Sequence, residues 1–166
     1  MAKLDYNVMQ ISVENKMNYN VILGQSHFIK TVEDIYEAIV TASADIRFGI
    51  AFNEASGDRL IRYDGNDKAA IDMAVEVAKE VGAGHMFCIV LSKGYPINIL
   101  NRIKGLQEVV NLYIATSNPF SVLVVKDKNN DRGIIGVIDG KPPKGIETEK
   151  DKEKRHKFLR DIGYKR

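Results

Sequence analysis

The sequence predicts an α/β protein: a mixed β-sheet containing hairpins, with helices packed on it, in a single domain over residues 1–166. Three observations predict it. Two segments carry apolar residues at helical spacing, one through Val32, Ile35, Tyr36, Ile39 and Val40, the other through Ile71, Ala74, Val75, Ala78 and Val81, so each has one apolar stripe. Short β-rich segments surround them, and two pairs of these are joined by turn-forming loops at Asn53 to Asp58 and Lys128 to Asp131, the pattern of hairpins. The run Met86 to Leu91 is apolar throughout, as in a central strand buried on both faces. A chain of 166 residues buries enough surface for one core and too little for two.

Each element has a local reason. Tyr6 to Val13 alternates as a strand, and Asn20 to Leu23 is a second, stopped by Gly24. Thr31 with Asp34 three residues on resembles a capping box opening the first helix. Ile46 to Phe52 and Arg59 to Tyr63 form the first hairpin. Asn66 or Asp67 caps the second helix, and Gly82 stands where a helix ends in a left-handed residue. Pro96 opens a short helix to Leu106, Val109 to Thr116 is a strand, and Phe120 to Val125 pairs with Gly133 to Ile138. After the irregular loop Lys141 to Gly145 comes a charged tail helix, Glu149 to Ile162, with Phe158, Leu159 and Ile162 as its docking face.

Composition removes several classes. Lys plus Arg number 24 against 22 Asp plus Glu, a net charge of +2; this excludes a broadly basic nucleic-acid coat and an acidic disordered tail. A lone cysteine, Cys88, excludes an intrachain disulfide and a cysteine zinc site, and its apolar surroundings make it a core residue. No apolar run approaches the ~20 residues of a membrane span. Met1 to Tyr6 carries no apolar leader core, so the expected location is cytoplasmic.

Familiar nucleotide and hydrolase motifs are absent. Gly136 to Lys141 has three residues between its glycines instead of the four of a P-loop, and Pro142 follows the lysine. Gly82-Ala83-Gly84 ends a helix instead of opening one and lacks a third glycine. There is no His-Glu-x-x-His and no Gly-x-Ser-x-Gly.

The remaining chemistry lies on turns. His85 follows Gly82-Ala83-Gly84 and opens the most apolar strand; an imidazole there can act as general base or as nucleophile. Its bland counterpart is a histidine bonded to a backbone carbonyl. His27 is the rival, on a strand-to-helix connection that includes Gln25, where open α/β sheets bind ligands and a helix start offers N–H groups to an anion. Asn53, Glu54 and Ser56 place an amide, a carboxylate and a hydroxyl on one loop, fit for a sugar or a magnesium ion, or for nothing beyond an exposed hairpin tip. Asn118 before Pro119 is a fixed amide able to read an adenine edge; as a residue type it is also a turn former. Asp139 and Lys144 put a carboxylate and a cation on a loop that can close over phosphates. His156, among Lys152, Glu153, Lys154, Arg155 and Lys157, belongs to a solvated helix face.

The segments Gly24 to Asp34, Phe48 to Gly57 and Gly82 to His85, with Asn118-Pro119, Gly133 to Gly140, Pro143-Lys144-Gly145 and Ile162 to Lys165, resemble in order the adenosine-specific kinase family of archaea and bacteria. The charge-rich stretch Glu149 to Lys157 departs from that pattern. The resemblance implies an α/β homo-oligomer, a trimer or hexamer, that binds adenosine or AMP and carries phosphate on a histidine, which maps to His85. It implies transfer from ATP to the 5′-hydroxyl of adenosine, either through a phosphohistidine or directly, with the histidine as orienter or base. On this reading the expected substrate contacts are Gln25, His27, Asn53, Ser56, Gly84, Asn118 and Lys144, with Glu54 and Asp139 as Mg²⁺ ligands. The alternatives from other classes are a non-catalytic adenosine- or AMP-binding regulatory module and an RNA-associated subunit using the basic tail. Near-neutral charge makes the last of these the weakest, and neither nucleic acid nor membrane is expected as a partner.

Overall fold

The computed structural model describes residues 6–166; of the stretch Met1 to Tyr6, expected to carry no leader core, all but Tyr6 lies outside the described residues. The described residues form eight strands and four α-helices. They are β1 (Asn7–Val13), β2 (Asn20–Ser26), α1 (Thr31–Val40), β3 (Arg47–Asn53), β4 (Ile61–Gly65), α2 (Lys68–Val81), β5 (Met86–Lys93), α3 (Leu100–Lys104), β6 (Val109–Thr116), β7 (Phe120–Lys126), β8 (Arg132–Asp139) and α4 (Glu149–Asp161). The α/β class, both hairpins and the helices packed on sheet are as expected. The strands differ in one respect: they divide into a five-stranded sheet, β4-β3-β5-β2-β6, and a three-stranded sheet, β1-β7-β8. Every pairing in both is antiparallel, where a mixed sheet was expected. An apolar run reports burial on two faces and is silent about strand direction.

Strand β5 is the centre of the larger sheet, and its alternation builds both cores. Phe87, Ile89 and Leu91 face one side with Val32, Ile35 and Ile39 of α1 and Ile103 of α3. Met86, Cys88 and Val90 face the other, against Ala70, Ala74, Val77, Ala78 and Val81 of α2 and against Val13, Phe120, Val122 and Val124 of the smaller sheet. Thus α2 and the three-stranded sheet together cover the second face, which explains an antiparallel sheet whose central strand is apolar throughout. Burial pushes the Cys88 thiol up, consistent with a packing role.

Helix α2 is delimited as its sequence suggests. The Asp67 carboxylate accepts the Ala70 N–H at 3.1 Å, and Gly82 closes the helix in the left-handed region at φ 59°. The inward stripe is rotated slightly from expectation: Ala70 and Val77 are buried, while Ile71 and Val75 are half-buried. Helix α1 opens differently from the expected capping box. Lys30 is its N-cap residue, the Thr31 hydroxyl turns back to Ser26 and the Phe28 carbonyl, and Asp34 pairs with Lys30. Asp67→Ala is expected to cost about 1 kcal/mol in thermal melts at neutral pH. The Ala70 N–H first, then the Ser92 hydroxyl, hold the Asp67 carboxyl below its usual value. Its contribution is therefore complete above the unfolded pKa of about 3.9 and is lost as pH falls through the folded value, so wild type and variant converge in acid.

Among the described residues, no helix is long and apolar enough to cross a membrane. Helix α4 has no buried residue: Phe158 and Ile162 are exposed and Leu159 is half-buried, so among the described residues the expected docking face is not covered.

Candidate active site at the glycine-histidine turn

The turn between α2 and β5 is held from three directions. Asn53, at the end of β3 and 7% exposed, donates its amide to the carbonyls of Ala78 at 2.9 Å and Ala83 at 3.0 Å. The His85 N–H donates to the Asn53 carbonyl at 2.8 Å, and the His85 carbonyl accepts the Ser26 N–H at 3.0 Å. His85 is thereby fixed in the left-handed region at φ 63°. For a residue with a Cβ that conformation costs about 1–2 kcal/mol and persists where neighbours impose it. Its half-buried ring stacks on Phe52, with centroids 6.1 Å apart. Phe52 belongs to the core under α1, so the imidazole lies on the α1 side of the sheet.

Gly84 lets the Asn53–Gly57 turn touch this one, because a Cβ there would stand 2.8 Å from the Ala55 Cβ. Beside the junction opens a cleft of about 660 Å³, within the ordinary range for ligand sites, lined by Asn53, Glu54, Gly84, Arg59, Lys79 and Arg132 among others. The Arg132 guanidinium caps the end of α2 through the Glu80 and Val81 carbonyls, both at 3.2 Å. The Asn53 Oδ1 is buried without a hydrogen-bond partner; its amide nitrogen is committed to two carbonyls, so this oxygen is an acceptor left open for a donor. Ser56 is at the exposed hairpin tip.

On the α1 side, His27 follows β2. It is exposed, and its N–H donates to the Glu108 carbonyl at 3.1 Å. Both histidines therefore occupy one end of the five-stranded sheet, joined through Ser26. A helix-to-strand turn and a strand-to-helix connection share this end because in an antiparallel sheet β2 ends where β5 begins. Gln25 is at the same end, but its side chain points to the other face and accepts from the Tyr113 hydroxyl at 3.0 Å.

Two expected members of the site are elsewhere. Thr116 pairs with Val21 near the start of β2, whereas Met86 pairs with Gln25 near its end. Asn118 and Asp139 thus lie at the far end of the sheet, roughly 20–25 Å away along a strand of eight residues. There the Asp139 carboxylate accepts from the Thr116 hydroxyl at 2.9 Å and the Asn118 amide at 3.0 Å. Lys144 is exposed on the loop that leads from there to α4. One chain therefore does not bring Asn118 and Asp139 to His85. The expected magnesium pair is divided too. Glu54 is at the His85 end, where the Leu60 N–H at 2.8 Å and Arg62 at 2.8 Å engage its carboxylate and hold it below its ordinary pKa. Among the described residues no group of three or more histidine, cysteine or carboxylate side chains is arranged to hold a metal ion. Glu54 and Asp139 do not fit a shared Mg²⁺ within one chain.

Two residues of the His85 end were assigned no role from the sequence, Lys30 and Glu108. Lys30 lies within the segment Gly24 to Asp34 without a distinguishing feature, and Glu108 belongs to no motif; the strand pairing and the bend before β6 put Glu108 beside His27.

An antiparallel α/β sandwich with a histidine locked in a glycine turn at the rim of a polar cleft has the parts of a group-transfer or small-molecule-binding protein. A family model described as adenosine specific kinase matches residues 11–165, and the chain belongs to that family. The crystal structure of the PH1918 protein from Pyrococcus horikoshii OT3 is similar over 98% of this chain and 99% of that one, at 42% identity and a TM-score of 0.91. No curated protein matches the chain.

Proposed function

We propose that this protein transfers a phosphoryl group from a nucleoside triphosphate, with ATP as the expected donor, to the 5′-hydroxyl of adenosine, giving AMP, with His85 at the reacting centre. The observation that carries this reading beyond family membership is His85 itself. Its backbone is held in an uncommon conformation by two strand ends, its half-buried ring rests on Phe52 on the α1 side of the sheet, and Gly82 and Gly84 of the same turn line a polar cleft. Strain retained at one residue in this way is a mark of a working site.

In the two-step route, an imidazole nitrogen attacks the γ-phosphorus. The bond from that phosphorus to the bridging oxygen breaks, and the nucleoside diphosphate leaves with the electron pair. The 5′-oxygen of adenosine then attacks the same phosphorus, the N–P bond breaks, and the freed imidazole nitrogen is left to accept the hydroxyl proton. In the direct route the imidazole accepts or orients that proton while the γ-phosphoryl group moves once. In both, catalysis consists of positioning and charge neutralisation. The test is formation of labelled AMP from adenosine and γ-labelled ATP. AMP binding without turnover would select the regulatory-module reading.

Self-association belongs to the same proposal. The segment from Gly140 to Arg166 has no buried residue, and its apolar side chains Ile146, Phe158, Ile162 and Tyr164 are exposed. A second copy of this chain would cover them, and docking end to end would carry Asn118 and Asp139 to a neighbour's His85. Sedimentation is expected to give three or six times the monomer mass, and a paired Phe158→Ser, Ile162→Ser change to lower it. A wild-type monomer would remove this part of the proposal.

A further inference from the structure

At the His85 end, the buried Glu108 carboxylate has no hydrogen bond, and the Lys30 ammonium is paired with it at 3.6 Å. The Glu108 side chain is 1% exposed, and neither oxygen accepts a hydrogen bond. The Lys30 ammonium, 3.6 Å away, is hydrogen-bonded instead to Asp34 at 2.6 Å. A carboxylate removed from water without donors is costly to keep, and such groups call for a reason.

Resting on the phosphotransfer reading above, we propose that Lys30 is the cation that binds the nucleotide's phosphate. Glu108 is the positioning residue that holds the Lys30 ammonium for it. Lys30 is the N-cap residue of the ten-residue α1, so its charge adds to the positive end of that helix and to its free N–H groups. It is partly exposed, which leaves an anion access to the ammonium. The next residue, Thr31, bonds the Ser26 hydroxyl at 2.7 Å, and the Ser26 N–H holds the His85 carbonyl. The His85 ring is on the same side of the sheet.

The two carboxylates have different uses. Asp34 forms an ordinary exposed pair four residues along the helix, which a phosphate can displace as acceptor. Glu108 cannot drift, because it is buried and its backbone is tied to His27. It keeps the ammonium at the helix start when the outer partner changes. Protein kinases place a phosphate-binding lysine with a glutamate in the same physical way.

Calorimetric titration of adenosine, AMP and inorganic pyrophosphate into wild type, Lys30→Met, Glu108→Gln and the double variant tests this. Lys30→Met is expected to weaken AMP and pyrophosphate about tenfold or more, the worth of one charge-assisted hydrogen bond, and to leave adenosine unchanged. Glu108→Gln is expected to weaken the two anions less, and to add nothing once Lys30 is methionine. If both single variants keep the wild-type ratio of AMP to adenosine affinity and the wild-type pyrophosphate affinity, the assignment is overturned. If Glu108→Gln weakens AMP equally with or without Lys30, the positioning role is overturned. If wild type binds neither adenosine nor AMP, the nucleoside reading fails, and pyrophosphate then decides. Binding lost in Lys30→Met supports the anion site; binding retained there, or absent in wild type, overturns it.

Discussion

His85→Asn is expected to lower adenosine phosphorylation by about 10²–10⁴-fold, the usual worth of a positioned acid–base group, with the fold intact. Asparagine is the informative replacement because it tolerates the left-handed conformation that His85 adopts at φ 63°. It also keeps the backbone hydrogen bonds to Asn53 and Ser26. Alanine in the same place would confound loss of the ring with backbone strain. In the two-step route, wild type incubated with γ-labelled ATP retains a phosphate that is stable to base and released by acid, and the variant retains none. In the direct route no label accumulates on either protein, and only the rate falls. A folded His85→Asn protein that phosphorylates adenosine at the wild-type rate would show that this imidazole is not needed.

The largest loss of stability from one added methyl group is expected at Gly49. A Cβ there would stand 2.2 Å from the Ile71 nitrogen and 2.3 Å from the Ala70 carbonyl carbon, both backbone atoms of α2. The helix lies directly on β3 at this point, and no side-chain rotation can relieve the overlap. Gly49→Ala must lift α2 from the sheet and open the core around Ala70, Ala74 and Val77, at a cost of about 3–5 kcal/mol. That is a large part of the stability of an ordinary domain. Gly145→Ala is the control: nothing lies within 4 Å of its added Cβ, so its urea midpoint should match wild type. Because α2 also carries the Gly82 turn to His85, Gly49→Ala should impair adenosine binding as well, and to a degree that follows the fraction unfolded.

Much of this was legible from residues alone. The spacing of Val32, Ile35 and Ile39 identifies α1, because those side chains meet the core on one stripe. Asp67 and Gly82 delimit α2 by local hydrogen bonding and backbone preference, which operate over three or four residues. The apolar run in β5 identifies the central strand, since only a strand covered on both faces needs apolar side chains at every position. The turn that presents His85 was legible for the same local reason.

What escaped the sequence depends on which distant segments meet. Strand direction is one case, since parallel and antiparallel partners bury the same side chains. Thr31 is another: its hydroxyl has a choice of acceptors, and the approach of Ser26 decides between them. The expected docking face of α4 is a third: among the described residues nothing covers it.

By itself, then, the sequence determined the elements, the two ends of α2, the buried stripe of α1 and the family, because each rests on local backbone preference or on an order of motifs that survives in one dimension. Only the tertiary structure decided that His27 and His85 share an end of the sheet, that Asn118 and Asp139 do not, and that Glu108 is buried beside Lys30. Those facts depend on strand pairing between segments dozens of residues apart, and the length of a strand then separates what lies at its two ends.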